Sequence, residues 1–156
     1  MTISPAIAFE ISQMIYTTWE LVDTADGIGI DKYFAADGTL AFGSVRHSGQ
    51  EQIREVYAGR SKRGPRTARH LVSNPIFVSE GDVIVVRYQL TLYAADGMPP
   101  LPTALPLGVI DVTDRVALVD GVRFLASRHL VNVFKSATEG FAVAFVDEAP
   151  AKENAR

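Results

Sequence analysis

The chain has 156 residues, enough for one domain with a buried core, and 47% of them are apolar while 21% are charged. Its formal net charge of -3 argues against a general attraction for nucleic acid or anionic membranes. It has no cysteine, which excludes disulfides, thiol nucleophiles and zinc–cysteine sites. We therefore expect a protein of a reducing, cytoplasmic type, with no nucleic-acid partner and no membrane partner.

A long helix is predicted at the start of the chain. Ser4 followed by Pro5 is typical of a helix start, with a capping hydroxyl before proline at the first helical position. Apolar residues then recur at helical spacing up to about Asp23. The opening residues MTISPAIAFEISQ lack the basic residues and long apolar run of a signal peptide, so we expect none.

Two shorter helices are predicted next. The stretch IDKYFAADG (30–38) predicts a second helix that ends at Gly38. Ser48 and Glu51 have the spacing of a capping box, which predicts a third helix to about Arg60. The basic stretch RSKRGPR (60–66) is interpreted as a charged loop. No aromatic platform accompanies it, which argues against a nucleic-acid site.

The second half of the chain changes from helical to alternating periodicity. A short strand is expected at TLAFGSV, and four longer strands at about 67–78, 82–95, 107–119 and 122–135. The stretches SEGD and VDG are typical of hairpin turns. The four-proline loop 96–108 is either a lid over a cavity or a subunit contact. Helices followed by antiparallel strands predict an α+β fold, a curved sheet folded around the helices with a pocket between them.

Four stretches together resemble the NTF2-like superfamily and, more closely, its SnoaL-like branch. They are YTTWELVDTADGIGIDKYFAADGTL (16–40), HSGQEQIREVY (47–57), TARHLVSNPIF (67–77) and DRVALVDGVRFLASRHL (114–130). The resemblance implies a cone of three N-terminal helices packed on a strongly curved, mostly antiparallel sheet. It also implies a homodimer. We expect one domain over 1–146, and the polar, Ala-rich composition of 147–156 predicts a frayed tail. The fold carries dehydratases, isomerases, cyclases and non-catalytic binding domains, so it implies no single activity.

Within this branch the chain resembles scytalone dehydratase and hexachlorocyclohexane dehydrochlorinase. In both, an aspartate at the end of the first helix pairs with a histidine on the strand after the third helix; the matching residues are Asp23 and His70. An arginine on the last strand completes the dehydrochlorinase site, and Arg128 matches it. The chain departs from the dehydratase on the strand VIVVRYQL, where Arg87 appears and a second histidine is missing.

A more distant resemblance is to ketosteroid isomerase. Tyr16 and Asp114 fall at positions similar to the tyrosine and the protonated aspartate of that enzyme's oxyanion hole. The aspartate that serves as its base would fall near Phe42, so that base is missing. A different group would have to take the proton.

The chemistry of Asp23 and His70 leaves two interpretations open. A carboxylate in the last turn of a helix meets the negative end of the helix dipole, so helix stability does not explain Asp23. It is either a turn aspartate or a partner that fixes the tautomer of His70. His70 alternates with Ala68 and Val72 on one strand face. It is either a half-buried structural imidazole or the base that accepts a substrate proton.

Arg128 and Asp114 each lie on an otherwise apolar strand face, where an unpaired charge is costly. They either pair with each other, or Arg128 binds a substrate anion while Asp114 is a carboxylic acid kept protonated by its surroundings.

The sequence predicts an apolar pocket for a small, largely apolar cyclic molecule. Its catalytic candidates are Asp23, His70, Arg128 and Tyr16, and its substrate-binding candidates are Trp19, Tyr33, Phe42, Asp114 and Phe124. The three histidines lack metal-ligand spacing and no phosphate-binding glycine loop is present, so we expect no metal and no cofactor. The first hypothesis is a cofactor-independent lyase or isomerase, resembling a dehydratase. The alternative is a non-catalytic ligand-binding or accessory domain of the same fold.

Overall fold

Two α-helices and six strands form the fold in a computed structural model that describes residues 2–148. The helices are α1 (Pro5–Thr24) and α2 (Gly49–Ser61). The strands are β1 (Phe34–Phe42), β2 (Val45–Ser48), β3 (Arg66–Glu80), β4 (Val83–Asp96), β5 (Gly108–Val119) and β6 (Val122–Lys135). The α+β class is as predicted.

Helix α1 begins and ends close to its predicted limits. The Ser4 hydroxyl accepts a hydrogen bond from the Ile7 N–H at 3.3 Å, and Pro5 occupies the first turn. A side-chain cap at the start of a helix satisfies a backbone donor that has no partner within the helix. The buried face of the helix packs into the core; it carries Ile11, Ile15, Thr18, Trp19 and Val22.

The prediction of a second α-helix at 30–38 was wrong, so two α-helices are present among the described residues instead of three. Ile30–Tyr33 forms a single 3₁₀ turn, and β1 begins at Phe34. The end of β1 pairs with both β2 and β6, and this sheet pairing overrides the local helical pattern. Gly38 lies inside β1, where a Cβ atom would stand 2.9 Å from the carbonyl oxygen of Leu125.

The predicted third helix is present as α2, but its capping differs from the prediction. The Ser48 side chain caps no backbone N–H. Instead the Ser48 N–H donates to the Gln52 side chain at 2.9 Å, so glutamine one position beyond Glu51 makes the reciprocal contact.

The six strands form one mixed sheet in the order β2-β1-β6-β5-β4-β3. Neighbours are antiparallel except β1 and β6, which are parallel. The four long strands and their two hairpins are confirmed. A register shift between Ser73 and Ile76, with Asn74 at φ 52°, interrupts the β3–β4 ladder. A bulge of this kind bends a strand and increases its twist, which curves the sheet around α1.

The segment after β6 returns along the end of the sheet. Val146 exchanges backbone hydrogen bonds with Phe42 and Ser44, and the Asp147 carboxylate accepts from the Asn132 amide at 2.7 Å. The predicted polar tail begins at 147, but Asp147 is tied to β6; residues 149–156 lie outside the described range. Within 2–148, neither helix combines the length and apolarity needed to cross a bilayer.

Candidate active site

Asp23 and His70 form a hydrogen-bonded pair between α1 and β3. Asp23 Oδ1 lies 2.6 Å from His70 Nδ1, and Asp23 Oδ2 accepts the backbone N–H of the same histidine at 2.9 Å. The two side chains are only 9% and 10% exposed, respectively. The neutral ring that donates Nδ1–H to the carboxylate carries its lone pair on Nε2. The carboxylate therefore fixes both the orientation and the tautomer of the imidazole.

The local sequence explains how the pair is assembled. Asp23 lies in the last turn of α1, and Trp19 lies one turn earlier on the same side of the helix. The Trp19 ring stacks on the His70 ring, with 4.8 Å between centroids and 17° between planes. On β3, Ala68 and His70 are two residues apart and both face the interior, as strand alternation requires.

The imidazole lines a cavity between α1, α2 and the inner face of the sheet. The cavity measures ≈ 550 Å³, including solvent at its open side. Only a small part of that volume is wide enough to admit a water-sized sphere, so the chamber is narrow. Its lining residues are mostly apolar: Trp19, Val22, Phe42, Tyr57, Arg60, Arg66, Ala68, His70, Leu90, Leu92, Ala94, Leu107, Ile110, Leu130, Phe141, Ala142, Val143 and Phe145. The base candidate therefore faces a space suited to apolar groups.

Arg128 and Asp114 are brought together, but away from this cavity. They are direct neighbours across β5 and β6, and the guanidinium donates to both carboxylate oxygens at 2.8 and 2.7 Å. Both side chains are buried, at 1% and 0% exposure. Burial by itself would lower the pKa of the Arg128 guanidinium, but Asp114 outweighs it and holds that pKa above its usual range. Of the alternatives left open by the sequence, the mutual ion pair is the one present.

The surrounding hydrogen bonds complete this buried network. Arg128 Nη1 donates to the Thr18 hydroxyl at 3.0 Å, and the Tyr88 hydroxyl donates to Asp114 at 3.1 Å. The Trp19 indole N–H donates to Tyr88 at 2.9 Å, and the Arg128 guanidinium carbon lies 4.5 Å from the centroid of the Trp19 ring. Arg128 therefore supports the tryptophan that packs against His70, and it does not line the cavity.

The remaining predicted site residues divide between two locations. Trp19 and Phe42 line the cavity. Tyr16 is 43% exposed and is not among the residues that line the cavity, so the structure does not bring it together with His70 at the cavity wall. Tyr33 and Phe124 line a separate depression beside Glu10 and Arg123. Helical spacing places Tyr16 near Asp23 on the helix surface, but it does not reveal that the cavity lies on the Trp19 side.

Tyr57 is a polar cavity residue that was not among the site residues predicted from the sequence. It lies on α2, is 4% exposed and lines the cavity. Its ring passes so close to Gly27 that a Cβ there would stand 2.3 Å from a ring carbon, and Gly27 also has φ 77°. Burial raises the pKa of the Tyr57 hydroxyl to about 12, so the group is a protonated donor at neutral pH.

Arg60 and Arg66 also line the cavity, although the sequence predicted only a charged loop that begins at Arg60, where the third helix was expected to end. Arg60 is 6% exposed. It follows Tyr57 by three residues, so both lie on the same face of α2. That spacing is the sequence signal that could have found it. Among residues 2–148, His, Asp and Glu side chains do not converge in groups of three suitable for a metal ion.

The fold and this cavity define an α+β protein with an interior site between helix and sheet. The model of the SnoaL-like domain family matches residues 8–130, so the chain belongs to that family, which includes polyketide cyclases and isomerases. No curated protein matches the chain.

Solved structures support the same fold. A Nostoc punctiforme protein of unknown function with a cystatin-like fold is similar at 22% identity and a TM-score of 0.70, covering 85% of this chain and 95% of its own. A variant of Rv3472 from Mycobacterium tuberculosis, also of unknown function, is 25% identical with a TM-score of 0.67 over 80% of this chain and 75% of its own. ActVI-ORFA from Streptomyces coelicolor is 16% identical with a TM-score of 0.72 over 82% of this chain and 98% of its own.

Proposed function

We propose that the protein is a cofactor-independent lyase or isomerase that acts on a small, largely apolar cyclic substrate. The observation that carries the proposal is the Asp23–His70 pair in the wall of an apolar cavity. His70 is the general base, and Asp23 is a positioning residue that stabilises the imidazolium as it forms. Membership of the SnoaL-like family supports this class of reaction.

The proposed step is removal of a proton next to a carbonyl. The C–H bond breaks, its proton moves to His70 Nε2, and its electron pair delocalises onto the carbonyl oxygen. In an isomerisation the imidazolium returns the proton to another carbon. In an elimination the electron pair expels a hydroxyl group, which leaves as water after taking the proton. A positioned base of this kind contributes ~10²–10⁴-fold in rate.

Tyr57 is the group that stabilises the developing negative charge, in place of Arg128 and Tyr16, which the sequence suggested for this role. Arg128 is held by Asp114, and Tyr16 does not line the cavity. Tyr57 lines the same cavity as His70, and the pKa of its hydroxyl, about 12, keeps that group protonated. A protonated donor in an apolar chamber stabilises an oxyanion more strongly than it would in water.

The alternative function is a non-catalytic domain that holds a small apolar ligand. One observation favours it: the cavity is narrow, and residues 141–143 together with Phe145 form part of its wall. A narrow chamber suits ligand retention more than turnover. This alternative predicts that His70→Gln leaves ligand binding intact and has no chemistry to lose.

Deuterium exchange separates the two functions. The wild-type protein is incubated with α-tetralone, an apolar bicyclic ketone, in deuterium oxide, and loss of the α-proton signal is followed by NMR. We expect wild type to exchange the proton ~10²–10⁴-fold faster than His70→Gln. Tyr16→Phe is the matched control and should exchange like wild type. Equal exchange rates in wild type and His70→Gln would contradict the proposed base.

We also propose that the protein forms a homodimer through the outward face of its sheet. That face carries partly exposed apolar side chains on β3, β4 and β6, namely Leu71, Tyr93, Val131 and Val133. Apolar surface of this kind is commonly covered by a partner. Sedimentation of wild type and Val133→Lys tests this, with a shift toward monomer expected for the variant. A monomeric wild type would refute it.

A further inference from the structure

Arg60 is a buried cation that the catalytic proposal does not use. The residue is 6% exposed, and its Nη1 donates to the backbone carbonyl of Val22 at 2.8 Å. Its Nε is buried and has no hydrogen-bond partner within residues 2–148. The ion pairs found in that range include Arg66 with Asp96 at 2.7 Å, but none formed by Arg60. A buried charge without a counter-ion is costly. Burial therefore favours an anionic partner for Arg60, and the described residues do not supply one.

The position of Arg60 connects two spaces. It lines the apolar cavity that contains His70, and it also lines an adjoining cavity of ≈ 530 Å³. The second cavity is more polar, and its lining comprises Asp26, Arg60, Arg63, Gly64, Arg66, Asp96, Gly140, Phe141 and Ala142. Three arginines and two aspartates surround it, and one aspartate is already paired with Arg66. The balance of charge in this second space is therefore positive.

Arg60 is also anchored next to the catalytic pair. It bonds to the carbonyl of Val22, while His70 bonds to the side chain of Asp23, the next residue in the chain. The guanidinium and the imidazole are therefore held by consecutive residues at the end of α1. A molecule bound by one of them is placed within reach of the other.

We propose that Arg60 is the binding site for a carboxylate on the substrate, whose apolar ring lies in the cavity beside His70. The inference rests on the proposed function for its substrate, and it narrows that substrate to a cyclic carboxylic acid. A guanidinium suits this role because its planar donors match the two carboxylate oxygens. Two fixed ends, the carboxylate on Arg60 and the ring in the apolar cavity, orient the reacting carbon toward Nε2.

Binding of two matched probes tests this site without any assay of turnover. Naphthalene-2-carboxylate and naphthalene-2-carboxamide have nearly the same shape, and only the first is charged. We expect calorimetric titration to show the carboxylate binding wild type at least ~10-fold more tightly than the carboxamide, because hydrogen bonds to charged groups are stronger. Arg60→Met should remove that preference by weakening the carboxylate ~10-fold or more, while the carboxamide stays within about twofold.

Two further variants serve as controls. Arg60→Lys keeps the charge but not the planar donors, so we expect it to recover part of the carboxylate preference. Arg115→Met removes the same charge from an exposed pair with Glu80 on the sheet, and its binding of both probes should match wild type. A carboxylate preference that Arg115→Met also loses would overturn the assignment, because the effect would then be one of net charge.

Other outcomes overturn the carboxylate site directly. If wild type binds the two probes with equal affinity, the carboxylate site is ruled out, even if every variant fails to fold. Arg60→Met weakening both probes to the same extent would assign the arginine a structural role, as a cap on the end of α1. His70→Gln separates this inference from the catalytic one, since it should keep the carboxylate preference. Failure of the exchange experiment with retained preference therefore removes the base and leaves the anion site standing.

Discussion

Two buried side-chain pairs that each contain an aspartate contact Trp19, and they differ in access. Asp23–His70 joins a helix to a strand and borders a cavity, whereas Asp114–Arg128 joins two neighbouring strands and is sealed from solvent. Both pairs contact the indole of Trp19. The His70 ring stacks on it with 4.8 Å between centroids, and the guanidinium carbon of Arg128 lies 4.5 Å from its centroid. The residue types alone do not distinguish a catalytic pair from a structural one; access to a cavity does.

The sealed pair also has more hydrogen bonds. Asp114 accepts from Arg128 and Tyr88, and Arg128 donates further to Thr18. The open pair leaves Nε2 of His70 for a ligand. A fully bonded buried charge contributes to the arrangement of the core, and a partly bonded one at a cavity is available for chemistry.

Breaking the sealed pair should have the largest effect on stability. Arg128→Met leaves the Asp114 carboxylate buried without its counter-ion, and we expect the free energy of unfolding to fall by about 3–5 kcal/mol. Urea denaturation measures this. Arg128→Met combined with Asp114→Leu is the control, and it should cost less than the single change because no charge is left unpaired. A double variant as unstable as Arg128→Met would show that packing around Trp19 matters more than charge.

The next effect concerns Tyr57 at alkaline pH. Its pKa is raised from 10.0 to about 12 by burial, so its contribution to stability is complete below pH 10 and is lost as pH rises through 12. The unfolded chain ionises first, and we expect this residue to account for a loss of about 3 kcal/mol between these limits. Urea titrations of wild type and Tyr57→Phe measure it. The decline should be shallower in Tyr57→Phe; parallel curves would indicate that the hydroxyl is solvated.

The open pair should give the smallest change in stability. Asp23→Asn keeps the shape but removes the charge that accepts two hydrogen bonds from His70, and we expect a cost of about 1–2 kcal/mol. An amide that donates to Nδ1 also shifts the ring proton to Nε2, which nitrogen NMR of the histidines detects. The matched control is Glu80→Gln in the exposed pair with Arg115. We expect it to lower the free energy of unfolding by less than about 0.5 kcal/mol. If the His70 tautomer is unchanged in Asp23→Asn, the Asp23 carboxylate does not determine which ring nitrogen carries the proton.

Where the backbone follows one periodicity over a long stretch, the sequence predicted it well. Helix α1 and strands β3 to β6 ended within two residues of their expected limits, because their patterns agree with their burial. The helix prediction for residues 30–38 was wrong because the apolar residues there suit either a helix or a strand. Pairing with β6 decided in favour of the strand. Local sequence carries no information about a parallel partner that lies almost a hundred residues away.

The candidate site divides in the same way. Residue chemistry and family resemblance were sufficient to predict the partners Asp23 and His70, since a carboxylate at a helix end and an inward imidazole both require explanation. Only the tertiary structure decided that Arg128 forms an ion pair with Asp114 and that Tyr16 lies outside the cavity. It also decided that Tyr57 and Arg60 line the cavity. Periodicity reports which face of an element is buried, but whether that face meets a packed core or an open chamber depends on how the elements come together.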